Sequence, residues 1–134
     1  ALNDAVQGGP GGLATYRQSL HAALDRIEPS SAVILLSPCM MATKLTERVS
    51  KASHDAARAC IATQTAGVLD AYVDALRAVA AERDVPLADT YAIWQAMAAA
   101  RIDTTALLAN GINHPHGYAH DLYVVPIMAS LEQG

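Results

Sequence analysis

Residues 32–36 read Ala32-Val33-Ile34-Leu35-Leu36, an uninterrupted apolar run that decides the fold. Such a β-prone run is typical of a parallel strand that is covered on both faces. The next residues, Ser37-Pro38-Cys39, end it, because proline has no N–H for a sheet ladder. Ligands of open α/β sheets bind beyond the carboxyl ends of the strands. We therefore predict a buried strand over 32–36 and one wall of a binding site over 37–44.

Helical and strand patterns alternate on either side of this run. Apolar residues at steps of three and four predict helices, and Gly67 interrupts the longest of these segments. A second strand begins beside Pro86, and Asp89 at its end is interpreted as the cap of the next helix. Pro126 predicts a kink or break in the closing helix. The segments are helix 13–27, helical 45–83, strand 85–89, helix 91–100 and helix 119–132, and the glycine-rich residues 7–12 are predicted as a flexible loop.

This order predicts an α/β fold, a three-layer sandwich around a parallel sheet. Two strands alone leave the sheet edges unpaired, so we expect further strands from a segment preceding residue 1 or from a second polypeptide. Residues 1–134 would then form the C-terminal part of a single domain.

Composition bounds the functional class. The chain has 134 residues, 52% of them hydrophobic, which is ample for one buried core. A net charge of −4 without a basic cluster does not favour nucleic acid as a partner, and no apolar run approaches the ~20 residues of a membrane span. Cys39 and Cys60 lack disulfide or C-x-x-C spacing and are predicted to be reduced, buried thiols.

The stretch Asn110-Gly111-Ile112-Asn113-His114-Pro115-His116-Gly117-Tyr118-Ala119-His120 holds three of the five histidines. Glycine and proline within it predict a structured turn. A histidine in such a turn can act as a general base near neutral pH. A polar surface loop with incidental histidines is the alternative on composition alone.

Two short blocks of this chain resemble signature blocks of the SGNH/GDSL hydrolases. Ala1-Leu2-Asn3-Asp4 is similar to the family's G-x-N-D block, and Asn113-His114-Pro115 to its C-terminal His-Pro block. The resemblance implies a flavodoxin-like sheet, His114 as catalytic base and Asn3 as an oxyanion-hole donor, with Asp4, Asn110 and Asn113 in support. It implies neither a cofactor nor a metal.

Three departures from the family pattern qualify this resemblance. The nucleophilic Ser block has no counterpart in the chain, Ala1 stands for the Gly of G-x-N-D, and Asn110 stands for the acid of the His block. An amide can orient an imidazole but cannot stabilise the imidazolium as a carboxylate does. We therefore expect a Ser-His dyad whose serine is supplied from upstream of residue 1.

The resulting expectation is a serine esterase that hydrolyses a small acyl ester, for example on an acetylated carbohydrate. Two alternatives stay open. His114-x-His116-x-x-x-His120 has a spacing at which three imidazoles reach one zinc ion, and a chain without its serine fits an inactive SGNH-like binding domain. The expectation further requires that Asn3 and His114 lie close together on the carboxyl side of the sheet.

Overall fold

The computed structural model describes residues 1–131, and it is dominated by six α-helices. They are α1 (Leu2–Gly8), α2 (Leu13–Ile27), α3 (His54–Thr65), α4 (Val68–Glu82), α5 (Thr90–Ala99) and α6 (Asp121–Leu131). Two strands, β1 (Leu35–Leu36) and β2 (Leu87–Ala88), pair in parallel, and short 3₁₀ turns span Gly9–Gly12, Lys51–Ser53, Thr104–Leu107 and Gly117–His120.

The predicted three-layer sandwich is wrong. The described residues are 65% helix and 5% strand, and they contain one sheet of two short strands rather than a flavodoxin-like sheet. The ladder is short because Pro86 has no N–H to donate and the N–H of Val85 bonds instead to the carbonyl of Ala80 at 2.9 Å. At the other end Pro38 cannot extend it. The predicted strand 32–36 therefore shrinks to two residues, and Leu36 is 45% exposed instead of buried.

Most of the helix predictions are confirmed, with three corrections. Helix α2 has the predicted bounds, and Gly67, with φ +71°, separates α3 from α4. Residues 45–50 are not helical, and residues 7–12, predicted as a flexible loop, belong to the end of α1 and a 3₁₀ turn. Helix α6 continues through Pro126, and the predicted end at Glu132 lies outside the described residues.

The core lies between the helices. Trp94, Tyr72 and Tyr91 are its largest fully buried side chains, and helices α1, α2 and α3 pack on α4 around them. Helix α6 instead covers β2 and contacts α5. The core therefore depends on helix packing, and the two strands serve mainly to fix the segment that follows β1.

A buried polar network fixes that segment at both ends. Ser37 donates a hydrogen bond to Asp89 at 2.8 Å, and Asp89 also accepts from Arg77 at 2.8 Å. Four residues later, the N–H of Met41 donates to Gln64 at 2.8 Å. The segment from Ser37 to Met41 is thus held against α3, α4 and α5, and it forms the floor on which the histidine loop rests.

Candidate functional site

The histidine loop is closed at its base like a hairpin. Leu108 and Pro115 form an antiparallel bridge, the N–H of Ala109 donates to the carbonyl of His114 at 2.7 Å, and His116 donates to Leu107 at 2.9 Å. The four residues between Ala109 and His114 form the tip. The backbone geometry of the tip is therefore fixed by the loop itself.

Gly111 lets this loop lie directly on its neighbours. Its φ is +66°, and a Cβ at this position would lie 2.9 Å from Oγ1 of Thr46, so both conformation and space require glycine. The next residue, Ile112, accepts a 2.7 Å hydrogen bond from the N–H of Ala42. The loop is thereby anchored to the segment that follows β1.

Asn110 organises the tip of the loop. Its Oδ1 accepts three backbone N–H groups, those of Ile112, Asn113 and His114, each at 3.0 Å. One side chain thus satisfies three donors that the tight turn leaves without backbone partners. These three bonds identify the atom facing the turn as the amide oxygen, so the other amide atom, Nδ2, is a donor that points away from the turn.

His114 is oriented by Asn113. The Nδ1 atom of His114 lies 2.6 Å from Oδ1 of Asn113, and Nδ2 of Asn110 donates to the same oxygen at 3.1 Å. Since Nδ2 of Asn110 is a donor, the Asn113 atom that faces it must be the acceptor, and Nδ1 of His114 then carries the proton. The 3.0 Å separation between Nδ2 of Asn110 and Nδ1 of His114 follows from their shared acceptor.

This arrangement leaves the other ring nitrogen with a lone pair. His114 is exposed, and within residues 1–131 its Nε2 has no hydrogen-bond partner. A neutral imidazole whose Nδ1–H is held by an acceptor is the form that takes a proton at Nε2. The loop therefore presents to solvent an imidazole nitrogen that can accept a proton.

Comparison with known proteins adds no relative to this geometry. No protein-family model, curated protein or solved structure matches the chain significantly. The site is accordingly interpreted from its own residues.

Both cysteines contact Asn113. The Cys39 thiol donates to the backbone carbonyl of Asn113 at 3.5 Å, and Nδ2 of Asn113 donates to Sγ of Cys60 at 4.0 Å. Burial raises the pKa of both thiols, and the neighbouring Tyr123 hydroxyl opposes this at Cys39. The predicted state, two reduced and buried thiols, is confirmed. Their contacts with the residue beside His114 were not predicted, because no spacing rule links positions 39, 60 and 113.

The other two histidines of the loop have structural partners. Nη1 of Arg48 lies 3.1 Å from Nε2 of His116 and donates to the carbonyl of Ala106 at 3.0 Å, while Nδ1 of His120 lies 3.1 Å from the carbonyl of His116. Arg48 is always a donor, so Nε2 of His116 accepts. Within residues 1–131 no three His, Cys, Asp or Glu side chains are grouped to hold a metal ion.

Asn3 and Asp4 lie on helix α1, not in the loop after a strand that the family block implies. Asp4 pairs with the amino group of Ala1 at 2.9 Å. Asn3 is exposed and, with Tyr123 and Ser37, lines a groove of ≈ 450 Å³ beside the carboxyl end of β1, here named the upper groove. Asn110, Asn113 and His114 are brought together by direct bonds, but His114 does not line the upper groove. The proximity of Asn3 to His114 stays a prediction.

Ser37 directly follows β1, at the start of the predicted binding-site wall 37–44, but its hydroxyl has structural partners. It is fully buried, donates to Asp89 and accepts the N–H of Tyr91 at 2.8 Å. Asp89 also caps α5 through the N–H of Ala92, as predicted. The Ser37 hydroxyl is therefore engaged both as a donor, to Asp89, and as an acceptor, from Tyr91.

No helix among residues 1–131 is long and apolar enough to cross a lipid bilayer.

Proposed function

We propose that this chain carries the general base of a serine-type acyl hydrolase that acts on a small acyl ester, such as an acetylated carbohydrate. The observation that supports the proposal best is the 2.6 Å bond between Nδ1 of His114 and Asn113, which Asn110 reinforces. Two asparagine side chains of the same loop thereby hold the ring of His114 with Nε2 turned outward. A loop with incidental histidines has no need of that arrangement.

In the proposed reaction, a serine hydroxyl attacks the ester carbonyl while His114 takes its proton at Nε2. The C–O bond to the alcohol then breaks, and the imidazolium returns the proton to the departing alkoxide. Water enters by the same route and releases the acid and the free serine. Asn113 orients the imidazole throughout but, being neutral, does not offset the charge of the imidazolium, so the proposal is for a Ser-His dyad.

Asn3 is proposed as the oxyanion donor and Asp4 as a supporting residue of its block. The exposed amide of Asn3 beside the upper groove is compatible with donation to a bound carbonyl oxygen. Loss of one such donor typically lowers the rate by ~10²- to 10³-fold.

The nucleophile is proposed to come from another polypeptide segment. Within residues 1–131 no serine hydroxyl forms a hydrogen bond with His114, and Ser37 is enclosed by Asp89 and Tyr91. The chain by itself is then expected to be inactive, and to gain esterase activity when a segment with a strand-to-helix serine turn is present.

The test uses the protein isolated with the polypeptides that accompany it in its native source. A serine-reactive fluorophosphonate is applied, the adduct is located by mass spectrometry, and p-nitrophenyl acetate turnover is measured. We expect an adduct outside this chain, and a loss of ~10²- to 10⁴-fold in turnover for His114→Ala. His120→Ala serves as the matched control and should keep near-normal turnover.

Two results contradict the proposal. The first is an adduct on Ser37, which would place the nucleophile inside the chain. The second is near-normal turnover in His114→Ala together with loss of turnover in His120→Ala, which would assign the base to the wrong histidine.

A further inference from the structure

One edge of the two-stranded sheet has unpaired backbone groups. Strand β1 bonds to its neighbour through the N–H of Leu35, which reaches Pro86 at 2.9 Å, and that of Ser37, which reaches Ala88 at 3.1 Å. Successive N–H groups of a strand point to opposite sides, so those of Ile34 and Leu36 face away from β2. Within residues 1–131 no strand pairs with that side.

An exposed apolar side chain lies on this strand, since Leu36 is 45% exposed. Helix α6, which packs on β2, exposes Val124, Val125 and Met128 by 53%, 67% and 53%. A helix that is apolar on its outer face as well as its inner one is usually covered. The free edge and the outer face of α6 are thus two separate apolar surfaces that the described residues leave uncovered.

Concave surfaces lie at both ends of β1. The upper groove extends from Leu20 to Tyr123 around its carboxyl end, and a second groove of ≈ 530 Å³ runs from Ala32–Ile34 to Leu131 at its amino end, here named the lower groove. Helix α6 contributes Tyr123 to the upper groove and Leu131 to the lower groove. The two grooves and the free edge thus form one elongated depression beside a single strand.

We propose that this depression binds an extended, apolar segment of a second polypeptide, which adds to β1 as a new strand. Backbone N–H and C=O groups that point sideways from a strand are satisfied best by another extended backbone. The ion pair in the lower groove, Glu28 with Arg83, is already formed, so this pair offers no free charge to the occupant. The occupant is therefore expected to be apolar on both faces.

A second copy of this chain fits the depression less well. In a symmetric dimer, the other copy would present the same two-residue strand between the same two grooves. Two concave surfaces that face each other leave the space between them unfilled. A longer extended segment can fill both grooves and pair with Ile34 and Leu36 between them. The inference stands independently of the proposed esterase activity, since it rests on the free edge and not on His114.

Binding of a defined probe tests the proposal. The probe is a fluorescein-labelled peptide of eight alternating Val and Ile residues between Lys pairs, and its analogue is N-methylated at alternate residues so that one edge cannot donate. We expect saturable binding of the probe and none of the analogue. Leu36→Lys should weaken binding by at least about tenfold, because it places a charge at the centre of the site.

Leu45→Lys is the matched control, since Leu45 is 42% exposed on a different segment. A second pair guards against misfolding of the first variant. Leu131→Lys, at a residue that is 57% exposed and lines the lower groove, should weaken binding, and Ile102→Lys, at a residue that is 50% exposed elsewhere, should not. Equal binding of probe and analogue would overturn strand addition. A dimer in sedimentation that Leu36→Lys converts to monomer would overturn the choice of occupant, because a second copy would then fill the site.

Discussion

At the scale of single residues, the site depends on two asparagine amides with different tasks. Asn110 uses its oxygen to hold three N–H groups of the turn, and Asn113 uses its oxygen to hold the ring of His114. Each amide is a fixed donor-acceptor pair, so the assignment of one fixes the assignment of the other. Truncation of Asn113 should therefore mainly affect the tautomer of His114, and truncation of Asn110 should mainly affect the free energy of unfolding.

Asn113→Ala should change the imidazole more than the stability of the protein. Without the acceptor at Nδ1, the proton of neutral His114 is free to move to Nε2, which then no longer accepts. Nitrogen chemical shifts of the His114 ring measure this tautomer directly. Asn113→Asp keeps an oxygen at the same place and should keep the proton on Nδ1.

Asn110→Ala is the complementary change, because it removes the acceptor of three backbone donors. We expect a loss of ~1–3 kcal/mol in the free energy of unfolding, measured by urea titration. If Asn113→Ala proved the more destabilising of the two, with an unchanged tautomer, the division of tasks would be wrong.

The sequence alone could identify the loop and its histidine but not the orienting amide. The family block places its acid at the position of Asn110, so similarity favours that residue as the partner of His114. In the structure the side chain at position 110 turns inward to the backbone, and Asn113, the immediate neighbour, supplies the contact. Which of two nearby amides faces a ring depends on the turn conformation, and no residue pattern encodes it.

At the scale of elements, the first twelve residues are organised around a tyrosine. The Tyr72 hydroxyl of α4 donates to the carbonyl of Gly9 at 2.8 Å. The 3₁₀ turn over Gly9–Gly12 wraps this hydroxyl, and its glycines leave room for it. The glycine-rich sequence resembled a flexible loop because glycine spacing does not show whether a side chain fills the space.

Gly12→Ala should therefore destabilise the protein by ~1–3 kcal/mol, because its Cβ would fall well inside van der Waals contact with the Tyr72 hydroxyl. Gly11→Ala is the matched control, since nothing lies within 4 Å of a Cβ there. Thermal unfolding measures both. In a Tyr72→Phe background the cost of Gly12→Ala should shrink, and an undiminished cost would show that backbone strain is the cause.

The carboxylate of Asp89, which directly follows β2, connects three other elements. It bonds to Ser37 after β1, to Arg77 on α4 and to the first turn of α5. Burial by itself would raise its pKa, but the hydrogen bonds from Arg77 and Ser37 outweigh burial and hold the pKa below the ordinary value. The folded state then binds fewer protons than the unfolded state, so stability is present above about pH 4 and is lost as the pH falls further.

Asp89→Asn should accordingly lower stability at neutral pH and flatten its decline in acid. Urea unfolding at a series of pH values from neutral to acid measures both effects. Asp55→Asn is the control, since that side chain is 99% exposed. An acid decline that is as steep in Asp89→Asn as in the parent protein would assign the acid sensitivity to other groups.

At the scale of the whole molecule, the order of helices and strands was predictable and the layer architecture was not. The periodicity of Leu13–Ile27 fixed a helix with its observed bounds, because its apolar stripe packs on α4. The run 32–36 has the composition of a covered strand, yet the described chain provides no neighbour on its outer edge. A hydrophobic pattern indicates which side chains a segment can bury, but not which neighbours cover them. The prediction of a sandwich was wrong because it assumed neighbouring strands that the described chain does not contain.

The same helical core sets the behaviour of the whole molecule in alkali. Burial, and secondarily the charge of Asp4, raise the pKa of Tyr16 to about 12. Burial also raises the pKa values of Tyr91 and Tyr123. A raised pKa means that the folded state keeps its protons longer than the unfolded state, so stability is complete below about pH 10 and declines above it. For Tyr16 the decline should amount to about 2–3 kcal/mol by pH ~12.

Urea unfolding and tyrosinate absorbance between neutral pH and pH ~12 measure this decline. Tyr16→Phe should make the decline in the free energy of unfolding above about pH 10 shallower, because it removes one buried phenol whose pKa is raised in the folded state. Tyr118→Phe should leave this decline unchanged, since Tyr118 is 63% exposed and its environment resembles that of the unfolded chain. If both variants changed the alkaline decline in stability equally, this decline would reflect the total number of phenols, and the packing of Tyr16 of α2 against Tyr72 of α4 would not be its cause.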